Sequence, residues 1–148
     1  MFKVVVVLLL VCRSASLSVS RRRSIRSSPE SECGEIKDNT LHSPNYPRNY
    51  PTNTHCMYTI PVHQNTVLNL KFVDFDMEDS SDCSYDYVEV RDNEQSYGKY
   101  CGRSLRGSNI MLEDTPYVNV IFHSDKSLSK RGFHIKYDYA NKHGMYIH

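Results

Sequence analysis

The stretch Phe133-His134-Ile135-Lys136-Tyr137-Asp138-Tyr139 alternates apolar and polar side chains without a break. At that period successive residues face opposite sides of an extended chain. Phe133, Ile135, Tyr137 and Tyr139 therefore share a dry face, opposite His134, Lys136 and Asp138. The same pattern returns in Tyr117–Phe122 (Val118, Val120, Phe122 inward) and in Tyr85–Val90 (Val88, Val90). It returns again in Val67–Phe72 (Leu68, Leu70, Phe72) and in Met57–Ile60 (Tyr58, Ile60). No window carries a helical stripe, and Pro44, Pro47, Pro51, Pro61 and Pro116 punctuate the segments as turns or edges. The expected fold class is all-β, an antiparallel β-sandwich of short strands.

A chain of 148 residues is long enough for one domain with a core and too short for two. The formal charge of +1 hides an asymmetry: Lys3, Arg13, Arg21, Arg22, Arg23 and Arg26 precede residue 27, and every acid follows it. Without those six cations the charge is −5. A nucleic-acid binder or a polybasic membrane-surface module would keep its cations in the folded part, so neither partner class is expected. The leader has Lys3, an apolar run from Val4 to Cys12, then Ser14, Ala15, Ser16 and Ser18, the grammar of a secretory signal peptide over residues 1–18. Nine apolar residues fall short of the roughly 20 needed for a membrane helix. Residues 19–32, rich in arginine and serine, read as a disordered linker or pro-segment with a basic cluster that a secretory protease could cut after Arg26. Residues 140–148 form a polar C-terminal tail without the character of a lipid anchor. The product is expected to be secreted and extracellular, with no membrane anchor.

Cys12 leaves with the leader, so Cys33, Cys56, Cys83 and Cys101 remain for an oxidising compartment. Two disulfides are expected, with three pairings open. Paired CxxC spacings, the HExxH helix and the GxSxG turn are all missing, so neither a cysteine zinc site nor catalysis is expected. The seven histidines read as solvated or strand-edge residues, with His42, His55 and His63 near turns and His123 and His134 on the polar faces of strands.

Between Ser43 and Pro51 lies Ser43-Pro44-Asn45-Tyr46-Pro47, followed by Tyr50-Pro51. Prolines with fixed φ, an asparagine able to bond its own backbone and two anchoring rings make this segment a structural lock. In order along the chain come Cys33-Gly34, Leu41, this proline run, Cys56, the acidic stretch Asp74-Phe75-Asp76-Met77-Glu78, and Cys83 with Tyr85-Asp86-Tyr87-Val88. Cys101-Gly102, Phe122-His123-Ser124-Asp125 and Gly132-Phe133 follow. This ordered set resembles the CUB domain family over residues 33–139. The resemblance implies a jelly-roll-like sandwich of two five-stranded sheets, with sequential disulfides Cys33 to Cys56 and Cys83 to Cys101.

Asp74, Asp76, Glu78, Asp79, Asp82 and Asp86 crowd thirteen residues, a density that needs solvent or a cation. In the calcium-binding subset of that family, acids at the positions of Glu78, Asp86 and Asp125 ligate Ca²⁺. Ser127 and the backbone of Leu128 complete the loop, and Tyr50 supports an acidic ligand. Many relatives carry asparagine where Leu128 stands, and a carbonyl ligand survives that change. In those relatives the site also captures a lysine or arginine of a partner, which makes Glu78 and Asp125 the expected partner-binding acceptors. The expected function is therefore a secreted, non-catalytic binding protein that recognises an extracellular protein with exposed Lys or Arg, with Ca²⁺ as cofactor. Two alternatives stand beside it. One is a spermadhesin-like binder of glycans or sulfated polymers; the other is a truncated product of a CUB-containing extracellular protease.

Overall fold

A computed structural model describes residues 33–142; the expected signal peptide, the linker and most of the polar tail lie outside the described residues. Among the described residues eight strands are present in chain order: β1 (Thr40–His42), β2 (Thr54–Pro61), β3 (Thr66–Asp76), β4 (Tyr87–Arg91), β5 (Ser96–Tyr100), β6 (Asn109–Leu112), β7 (Tyr117–Ser124) and β8 (Gly132–Asn141). They form two antiparallel sheets ordered β1-β8-β3-β6 and β2-β7-β4-β5. No helix occurs among the described residues.

The period-two pattern decides which faces meet. Leu68, Leu70 and Phe72 of β3 and Phe133 and Ile135 of β8 turn inward from the first sheet. Tyr58 and Ile60 of β2, Val88 and Val90 of β4 and Val118, Val120 and Phe122 of β7 meet them from the second. Each fully buried branched or aromatic side chain contributes about 1.5–3 kcal/mol of transfer free energy. Edge-on ring contacts cross the interface, as between Phe122 and Phe133 (5.8 Å) and between Tyr58 and Phe133 (6.1 Å). Both disulfides are sequential, Cys33 to Cys56 and Cys83 to Cys101.

Two expectations are corrected. Among the described residues each sheet has four strands, not five. The segment before β1 folds back on itself, because Asp38 and Asn39 adopt left-handed φ values of 49° and 54° and Lys37 exchanges both backbone hydrogen bonds with Thr40. At the other margin, residues 101–107 are spent on successive turns between β5 and β6. The strand read from Tyr85 begins instead at Tyr87, since Cys83 takes a left-handed φ of 52° and the chain is still turning through Ser84.

The proline run packs as a lock. Ser43 donates its backbone N–H to the Phe133 carbonyl, and its hydroxyl accepts the Phe133 N–H at 3.1 Å. Gly132, at φ +88°, leaves room for that hydroxyl: a Cβ there would stand 1.9 Å from Ser43 Oγ. The Tyr46 phenol donates to Asp74 at 3.0 Å, so the run is tied to both β8 and β3.

Candidate metal centre

Three loops at one end of the sandwich bring the expected acids together. Glu78 follows β3, Asp86 precedes β4 and Asp125 follows β7, so the first sheet contributes one and the second contributes two. One carboxylate oxygen from each lies within 4.8 Å of the others. Asp86 is fully buried, Glu78 is 7% exposed and Asp125 is half-buried.

Tyr50 organises the centre from beneath. Its ring is buried edge-on against Phe122 at 5.2 Å, and its phenol donates to Asp86 Oδ2 at 2.5 Å while accepting the Glu78 N–H at 3.1 Å. Burial, reinforced by the bond to Asp86, pushes the Tyr50 phenol well above its ordinary range, which keeps it a donor. The other Asp86 oxygen accepts the Asp125 N–H at 2.8 Å, so one buried carboxylate joins the Tyr50 segment to the loop after β7. Asp125 in turn accepts from the Ser127 N–H (2.7 Å) and the Ser127 hydroxyl (3.0 Å). Leu128 is 66% exposed and, with Glu78 and Lys130, borders an open depression of about 460 Å³.

Like charges are forced close here. Desolvation first, then the Asp86 and Asp125 carboxylates, raises the pKa of Glu78 above the ordinary glutamate value. Glu78 Oε2 is buried and has no hydrogen-bond partner among the described residues. A buried acceptor left open among three carboxylates is the arrangement a hard, oxygen-seeking cation completes. The donor set therefore fits Ca²⁺: three carboxylates, the Ser127 hydroxyl and the nearby backbone carbonyls.

The rest of the acidic stretch has other work. Asp74 is held by Arg131 (2.7 Å), Arg106 (3.6 Å) and Tyr46, and Asp76 by Arg103 (2.9 Å). Asp82 caps its own turn by accepting the Ser84 N–H. The structure also adds residues that the sequence reading did not single out. Ser124 accepts the Thr54 N–H and donates to the Pro51 carbonyl at 2.7 Å, and Asn53 donates its N–H to the Asp125 carbonyl at 2.6 Å. Both set the backbone on either side of Asp125, and the only sequence signal for them was their adjacency to the Tyr-Pro and Ser-Asp pairs.

Comparison with known proteins agrees with this architecture. Adhesion G-protein coupled receptor G6 of Danio rerio is 35% identical over 136 residues, which cover 89% of this chain and 11% of that protein. Cubilin of Rattus norvegicus is 40% identical over 114 residues, covering 72% of this chain and 3% of that protein. The chain thus spans only a small part of the length of these relatives. The crystal structure of the MASP-1 CUB2 domain bound to Ca²⁺ matches with a TM-score of 0.59 and 33% identity, covering 66% of this chain and 88% of that one. The family profile described as CUB domain matches residues 32–137, and with it the chain belongs to the CUB domain family.

Proposed function

We propose that this chain is a secreted recognition module in which Ca²⁺ orders the loops bearing Glu78, Asp86 and Asp125, and that the ordered carboxylates capture a lysine or arginine of an extracellular protein. CUB domains mediate extracellular protein interactions and are themselves non-catalytic. The observation that carries the finer reading is the convergence of three carboxylates around the unpartnered Glu78 Oε2. The Ca²⁺-bound relative supports it. Ser127 and the Leu128 carbonyl would complete the ligands, and Tyr50 would hold Asp86 in place. When bound, the cation supplies charge neutralisation and rigidity; Glu78 and Asp125 supply the acceptors for the basic group.

The proposal extends to the parts outside the described residues, a signal peptide over 1–18 and a linker over 19–32, which intact mass and N-terminal sequencing of the secreted product would test. The rival reading, a polyanion or glycan surface built on Arg103, Arg106, Lys130 and Arg131, is disfavoured by one feature. Three of these cations are already paired with Asp74 or Asp76.

Calorimetric titration of Ca²⁺ into chelator-treated protein is the direct test. Saturable binding is expected, lost in Asp125→Ala and in Glu78→Ala. Absence of binding at millimolar Ca²⁺ would reduce the acids to a solvated loop cluster.

A further inference from the structure

On the outer face of the first sheet three rings meet. His42 of β1 and His134 of β8 are direct cross-strand partners, and Asp74 of β3 is the next residue in the same row. The two imidazole centroids stand 5.2 Å apart with their planes tilted by 47°. Tyr46 walls one side, stacked on His42 at 5.6 Å and tilted against His134 at 5.7 Å. Its phenol is fixed by Asp74, and Asp74 by Arg131, so the rings are braced from behind. Neither imidazole enters a hydrogen bond among the described residues, and His42 is exposed.

We propose that His42 and His134 form a two-histidine site for a transition-metal dication of the Zn²⁺ class. The spacing carries the argument. A metal–nitrogen bond of about 2.0–2.1 Å, about 1.1 Å more to the ring centre and a near-tetrahedral angle of about 109° place two ligating imidazole centroids about 5.2 Å apart. The observed separation is 5.2 Å. The second cross-strand histidine pair, His55 and His123, serves as an internal comparison at 6.1 Å. That separation would open the nitrogen–metal–nitrogen angle to roughly 145°, outside the tetrahedral range. The tilt between His42 and His134 is no obstacle, because each ring can turn about its own metal–nitrogen bond.

The charge environment selects the class of cation. Asp74 already shares its charge with Arg131 and Arg106, and Lys136 lies two residues along β8. A hard cation that depends on anionic oxygen gains little here, whereas a metal with real affinity for imidazole nitrogen does.

The test is calorimetric titration of ZnCl₂ into the tag-free full chain held in excess Ca²⁺, so that the acidic loops do not compete. One saturable event is expected at pH 7.5, weakened at least tenfold by His42→Ala and by His134→Ala. His55→Ala and the double variant His143→Ala/His148→Ala should leave it unchanged. Binding that survives His42→Ala, binding abolished by His55→Ala or by the tail variant, or no binding at all would each overturn the proposal. His42 is exposed, so its variant keeps the fold and decides the matter even if His134→Ala is unstable.

Discussion

One oxygen of Tyr50 serves both sides of the acidic centre, donating to Asp86 and accepting from the backbone of Glu78. Tyr50→Phe would keep the buried ring against Phe122 and remove only that oxygen. It would leave the Glu78 N–H buried without an acceptor and Asp86 short of a donor, each a desolvation cost of about 1–3 kcal/mol. The expected outcome is a lower urea midpoint at unchanged slope, together with weaker Ca²⁺ binding. A variant equal to the parent in both would show that the phenol is only packing. At this scale much was legible beforehand: the family pattern marked Glu78, Asp86, Asp125 and Tyr50, and the structure brings all four together. What the pattern did not carry was the sorting of the other acids. Asp74 and Asp76, still within β3, face Arg131, Arg106 and Arg103, which arrive from distant parts of the chain.

The same division between local and distant causes runs through the elements. β2, β3, β7 and β8 were legible because each carries at least two inward apolar residues at period two. β1 has one, Leu41; β6 has only Leu112 fully buried and leaves Met111 74% exposed; β5 reads Ser-Tyr-Gly-Lys-Tyr, with Gly98 at φ +144°. These strands exist because a neighbour pairs with them, and a single sequence does not show its neighbours. The bulge at Val73 hides the end of β3 in the same way, shifting register so that Phe72 and Phe75 both point inward. The turn joining β4 to β5 offers a pH test. Asp92 accepts the Tyr97 hydroxyl at 2.6 Å and the Glu94 and Gln95 N–H groups at 2.8 and 2.9 Å. The Tyr97 bond foremost, then the Gln95 N–H, lowers its pKa to about 2. A depressed carboxylate pKa contributes stability that is present above the ordinary value near 3.8 and is lost as pH falls toward about 2. Asp92→Asn removes that titration while keeping an oxygen for the backbone donors. The stability gap between parent and variant should therefore narrow between pH 5 and pH 2 in paired thermal melts. A constant gap would mean that Asp92 does not titrate in this window.

For the molecule as a whole, the acidic centre is a junction between sheets. Glu78 extends from β3 in one sheet, while Asp86 and Asp125 flank β4 and β7 in the other. The Cys83–Cys101 disulfide and the reciprocal bonds between Gly102 and the Met77–Glu78 backbone already gather this end. Without a cation the three carboxylates, one oxygen of each within 4.8 Å of the others, oppose that gathering. A cation bound only by the folded state should therefore act on global stability. At a hundred times its dissociation constant it adds about 2.7 kcal/mol. For a domain of this size, each kcal/mol moves the melting temperature by roughly 4–8 °C. Scanning calorimetry should show a melting temperature that climbs with Ca²⁺ by ten degrees or more. Mg²⁺ should move it less, because its small octahedral shell is reluctant to dehydrate for so irregular a set of oxygens. In Asp125→Ala the Ca²⁺ dependence should vanish, with the melt in chelator no lower than that of the parent because one repelling charge has gone. If the variant instead melts far below the parent in chelator, Asp125 stabilises the fold through its bonds to Ser127, and the junction does not depend on the metal.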